Sequence, residues 1–137
     1  MTPDTLNYKL QRLDIGDDWL EKNWFFDTDF TSLTNDQFVL MRSYANNQMN
    51  WYWTNQDKHY LLAECNRFHF MWLGYAQVWC TQHGIKNPAI GRAYGYWEGL
   101  NHMWAYVVVE NEIVFINWGQ EVKPANVRYD GKGSMSV

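Results

Sequence analysis

Two apolar runs, Met103–Val109 and Ile113–Trp118, stand either side of the polar insert Glu110-Asn111-Glu112. Both runs are rich in β-branched and aromatic residues, and the insert is turn-like, so the stretch predicts a β-hairpin. Side chains alternate along a strand, which puts His102, Trp104, Tyr106 and Val108 on one face. A two-residue loop at Glu110-Asn111 pairs Val109 with Glu112. Counting back, Trp104 then faces Asn117, and His102 faces Gly119. His102 and Asn117 become diagonal neighbours on one face, roughly 7–8 Å apart between backbones. A loop at Asn111-Glu112 shifts the pairing but keeps them together. A three-residue loop separates them onto opposite faces.

The longest helical pattern lies upstream, within Leu61–His83. Cys65, Phe68, Trp72, Ala76 and Trp79 recur at helical spacing, and Gly84 supplies a stop. Gly74 inside this segment predicts close packing at that point, because glycine costs about 1 kcal/mol relative to alanine in a helix. A second helix starts at Thr34, with Gln37 at the capping-box spacing, and continues through Phe38 and Met41 to about 44–47. Asn46–Asn50 reads as a loop leading into Trp51, Tyr52 and Trp53. Ala89–Trp97 reads as a strand containing two glycines, and Glu98–Asn101 as a turn. Lys123-Pro124 breaks the pattern after the hairpin. Val127–Tyr129 reads as a short edge strand, and residues 131–137 as a disordered tail.

The chain has 137 residues, enough for one compact domain, here taken as residues 1–130. Its fold class is α+β, with helices packed on a small antiparallel sheet. Aromatic residues make up 18% of the chain. That excess suits a core, a sugar- or peptide-binding cleft, or a platform for stacked bases. A net charge of −4 with scattered Lys and Arg argues against nucleic acid. No apolar run reaches membrane-spanning length, and the first residues lack a signal-peptide pattern, so a cytoplasmic chain is expected. Cys65 and Cys80 are fifteen residues apart. On one helix they stand about 22 Å apart, too far for a disulfide. Both are expected as free thiols, with Cys80 in the core.

Three residues offer the parts of a thiol nucleophile site. Cys65 is the nucleophile, His102 the base that reaches it, and Asn117 the group that orients the base. Backbone amides near Cys65 and the side chain of Gln56 are candidates for an oxyanion hole. Trp51, Trp53, Trp97 and Trp104 are candidate binding surfaces. A small buried hydrophobe is the competing reading for Cys65. Cys65, His69 and His102 also number enough ligands for a zinc centre, with His69 four residues along the same helix face. A packed helix residue is the preferred reading of His69. No metal or cofactor is assigned.

The motifs Cys65-Asn66-Arg67-Phe68-His69, Gly95–Gly99, Asn101-His102-Met103 and Phe115-Ile116-Asn117-Trp118-Gly119-Gln120 resemble those of papain-like cysteine peptidases. More closely, they resemble a small family related to the C-terminal peptidase domain of a fungal agglutinin, which has phage and bacterial relatives. The resemblance spans about residues 29–121. It implies a papain-like fold and cysteine-dependent hydrolysis or transfer on an amide bond of a protein or peptide. The acids that follow the cysteine in those relatives are Asn66 and Arg67 here, so their calcium dependence is not carried over. The alternative function is an inactive papain-like binding protein, of a phage type, that sequesters a protein partner through its aromatic surface. A carbohydrate-binding module using Trp51, Trp53 and Trp97 is a third reading.

Overall fold

A computed structural model describes residues 1, 2, 5, 29–55, 57, 65–97, 100–124 and 129–136. Among the described residues, the helices α1 (Asn35–Gln48), α2 (Asn50–Thr54) and α3 (Cys65–Gln82) precede the sheet in sequence. Its strands are β1 (Ile90–Trp97), β2 (Leu100–Val109), β3 (Glu112–Asn117), β4 (Gln120–Val122) and β5 (Tyr129–Ser136). They pair antiparallel in the order β4-β3-β2-β1-β5, and the helices pack against this sheet. The fold is therefore α+β. Among the described residues no helix is long and apolar enough to cross a membrane.

Local chemistry explains the helix ends. The Thr34 hydroxyl accepts the Gln37 N–H at 3.1 Å, and the Gln37 side chain accepts the Thr34 N–H at 3.0 Å, a complete capping box. At the end of α3, Gly84 has φ +70. The Ile85 N–H reaches the Cys80 carbonyl at 3.0 Å, and the Gly84 N–H reaches Thr81 at 3.2 Å. These are the two bonds of a Schellman motif, which need a residue that tolerates a left-handed backbone.

Burial redraws the segment expected as a loop. Met49 and Tyr52 are both in the core. The Met49 N–H bonds to Ala45, and the Tyr52 N–H to Met49. The chain thus passes from α1 into α2 with one intervening residue, because the two apolar side chains must face inward one turn apart.

The hairpin forms in the expected register. Val109 pairs with Glu112 and Ala105 with Ile116. Glu110 and Asn111 both have positive φ, +49 and +63, which a two-residue type I′ turn requires. Leu100 and Asn101 belong to β2 rather than to a turn, since Trp97 already pairs with Leu100. Two elements differ from expectation at the sheet edges. Gln120–Val122 continues as β4, turned back on β3 through Trp118-Gly119. Residues expected to form a disordered tail extend β5, which pairs along β1 from Trp97 to Arg92. Backbone pairing at an open edge requires no apolar pattern, so β4 gave no signal, and the edge strand expected at Val127–Tyr129 runs on from Tyr129 to Ser136.

From Met103 to Val109, β2 is buried on both faces. Ala105, Val107 and Val109 join Phe68, Trp72, Ala76 and Trp79 of α3, with Phe38 and Met41 of α1, in one core. Trp104, Tyr106 and Val108 join Ala93, Ile113, Phe115 and Phe30 in a second core. The alternation along β2 divides its side chains between the two.

Candidate active site

β2 and β3 stop pairing at Ala105 and Ile116, and the site is built where the ladder ends. The His102 ring nitrogen Nε2 lies 2.6 Å from Asn117 Oδ1. An amide oxygen only accepts, so Nε2 carries the proton and donates it. The other ring nitrogen, Nδ1, keeps the lone pair and is the one able to act as a base. His102 and Asn117 are both half-buried. Trp97, Trp104 and Trp118 pack around the imidazole, with ring centres 5.7, 6.0 and 5.9 Å away. These rings lower the polarity around the His102–Asn117 bond, which favours it.

Cys65, the first described residue of α3, is also half-buried. Its Sγ accepts the backbone N–H of Met103 at 3.3 Å. Met103 follows His102 on β2, so helix and strand bring the thiol to the backbone next to His102. A backbone N–H directed at sulfur is an interaction that grows stronger when the sulfur is anionic. Cys80 is different in kind. It is fully buried, its S–H points to Met41 Sδ at 3.7 Å, and burial pushes its pKa up to about 11.

Asn117 is held by the turn that follows it. Trp118 and Gly119 have φ +52 and +80 and reverse the chain so that Asn117 pairs with Gln120. Three side chains from the helices grip this turn. His69 Nε2 accepts the Trp118 N–H at 3.0 Å. Arg42 Nε and Asn46 Nδ2 donate to the Gly119 carbonyl at 2.8 and 3.1 Å. Asn46 Oδ1 is fixed in turn by the indole N–H of Trp72 at 2.8 Å.

The structure separates the remaining candidates. His69 donates from Nδ1 to the Cys65 carbonyl at 2.7 Å and accepts at Nε2, so neither nitrogen is left for a metal. Among the described residues no cluster of three or more His, Cys, Asp or Glu side chains is placed to hold a metal ion. His69 is fully buried, and burial lowers its pKa to about 4, helped by the nearby His102 and opposed by the Cys65 carbonyl. Trp104 is 0% exposed and cannot touch a ligand; its indole is core beside His102. Trp97 packs on His102, Trp104 and Phe115, which makes it a wall of the site rather than an open platform. Trp51 and Trp53 are 43% and 39% exposed, and the Trp53 ring rests on Phe68, one turn from Cys65. Gln56 lies outside the described residues. A cavity of about 550 Å³ lies elsewhere, between α1 and the β3–β4 side of the sheet, with Phe38, Arg42, Glu112 and Glu121 in its wall. None of Cys65, His102 or Asn117 lines it.

No family model, curated protein or solved structure matches this chain. Sequence reasoning missed Arg42, Asn46 and the part played by His69. Their partners are backbone groups of a turn more than 45 residues away, and no spacing within α1 or α3 marks that meeting.

Proposed function

We propose that this protein performs cysteine-dependent acyl chemistry, hydrolysis or transfer on an amide bond of a protein or peptide, in a papain-like arrangement. The observation that carries the reading is the His102 Nε2–H to Asn117 Oδ1 bond, formed beside a thiol anchored on the next residue of β2. Cys65 gives its proton to His102 Nδ1 and attacks the substrate carbonyl carbon. The carbon–sulfur bond forms, the carbon–nitrogen bond breaks, and His102 returns the proton to the departing amine. Water, or an acceptor amine in the transfer case, then attacks the thioester and releases the thiol. The helix-on-sheet placement of Cys65, with His102 and Asn117 on successive strands, supports the papain-like description.

A second reading, a papain-like protein that holds a protein partner without turnover, is favoured by the exposed Trp51 and Trp53 near α3.

The test is the pH dependence of alkylation, read cysteine by cysteine by mass spectrometry. Cys65 is expected to react well below pH 8, and to slow by about tenfold at pH 6.5 in His102→Ala. Cys80 is the internal control and stays unmodified in the folded protein. If Cys65 is inert until the protein unfolds, it is a core residue and the enzymatic reading fails.

A further inference from the structure

We propose that His69 is a positioning residue for the Cys65–His102–Asn117 site, its bare Nε2 holding the Trp118 amide so that Asn117 stays on His102. The proposal rests on the reading of that site given above. Trp118 has φ +52, a conformation that a bulky side chain rarely adopts and that persists only when its surroundings impose it. Its amide points into the helix layer, away from any strand partner, and needs an acceptor there. A neutral imidazole with its proton on Nδ1 supplies one. The Cys65 carbonyl, 2.7 Å from Nδ1, fixes that tautomer, so the residue that carries the thiol also sets the lone pair that holds the turn. An imidazolium has no lone pair and would oppose the Trp118 N–H with another N–H. Burial keeps His69 neutral at physiological pH, which agrees with the acceptor role. Its ring also stands perpendicular to that of His102 at 5.9 Å, so the backbone bridge and the packing both end at the same imidazole.

A merely packed histidine bonded to the Cys65 carbonyl would carry its proton on Nδ1 as well, so the two cases separate on whether His102 and Cys65 respond when the Nε2 acceptor is removed. Long-range nitrogen–proton NMR correlations on the native protein at pH 7 should show His69 protonated at Nδ1 and His102 at Nε2, with a slowly exchanging Trp118 amide. In His69→Phe the ring volume remains and the acceptor is lost. His102 should then populate both tautomers, and the Cys65 alkylation rate should fall by about tenfold, the effect of one lost hydrogen bond. His69→Gln, which restores an acceptor oxygen, should recover most of that rate. The proposal is overturned if native His69 carries its proton on Nε2, or if His69→Phe keeps a single His102 Nε2–H tautomer. Should His69→Phe fail to fold, His69→Leu, which also lacks an acceptor, is read in its place against His69→Gln. If His102→Ala leaves Cys65 reactivity unchanged, the nucleophile reading is what has failed; the tautomer and exchange measurements still judge the hold of His69 on the turn.

Discussion

At His102 one bond decides which ring nitrogen carries the proton. Without the Asn117 carbonyl oxygen the imidazole loses the acceptor that holds it in one tautomer. Asn117→Ala is therefore expected to slow His102-dependent alkylation of Cys65 by about tenfold, a hydrogen bond of this kind contributing about 1–1.5 kcal/mol. Thermal unfolding should move little, because Asn117 is half-buried at a strand end; a loss of alkylation matched by general unfolding would remove the orienting role. His69 carries a different prediction. Its pKa is about 4 in the folded chain, against about 6.5 for a free histidine. The unfolded state thus binds the proton first as pH falls. The stability that neutral His69 contributes is complete above about pH 6.5, declines between 6.5 and 4, and is gone below that range, a loss on the order of 3 kcal/mol. Urea unfolding at pH 7, 5.5 and 4.5 measures it, and His69→Phe should flatten the decline in that window. The meeting of His102 and Asn117 was legible in the sequence because alternation and a two-residue turn fix register by counting. The acceptor role of His69 was not, since it depends on where a turn amide 49 residues later comes to rest.

Glycine positions separate local propensity from tertiary demand at the level of the elements. Gly119 sits in the β3–β4 turn at φ +80, and an added Cβ would lie 2.5 Å from Asn46 Oδ1. That oxygen is held by Trp72 and cannot retreat without giving up that hydrogen bond. Gly119→Ala should cost about 2 kcal/mol or more, from the left-handed backbone and the displaced amide together. Gly74 is the opposite case. Its place in α3 suggested close packing, yet it is exposed and an added Cβ would meet nothing within 4 Å. Gly74→Ala should stabilise the protein by about 0.5–1 kcal/mol through helix propensity alone. Urea midpoints for the two variants should therefore move in opposite directions, and a destabilised Gly74→Ala would mean an unseen contact on that face of α3. The elements that were read correctly carry strong local signals: the Thr34–Gln37 box, the Gly84 stop, the α3 stripe and the hairpin runs. Those missed are α2, decided by burial of Met49 and Tyr52, and β4, formed by backbone pairing to β3; of β5 only the Tyr129 end was foreseen, and its length is set by pairing to β1.

Across the whole molecule, the sheet order makes β2 the strand on which everything else converges. It has a hydrogen-bonded neighbour on each side, β1 and β3, and a packed core on each face. Opening its central amides requires both cores to part, which amounts to global unfolding. β4 and β5 each have one neighbour and lie at the two edges. Their amides are released by fraying that leaves the cores intact. Native-state hydrogen exchange should accordingly place Ala105, Val107 and Val108 in the slowest class, with protection matching the free energy from urea unfolding. Gln120–Val122 and Tyr129–Ser136 should exchange at least about a hundredfold faster, equivalent to openings about 2.7 kcal/mol cheaper. The site lies between these regimes. Met103, whose N–H meets the Cys65 sulfur, is beyond the end of the β2–β3 ladder but still paired with Tyr94 of β1. Its exchange should be intermediate and should quicken when Cys65 is replaced by alanine, because the acceptor sulfur is removed while the strand remains. Equal protection across β2, β4 and β5 would indicate a single cooperative unit and contradict a sheet whose stability falls away from its centre.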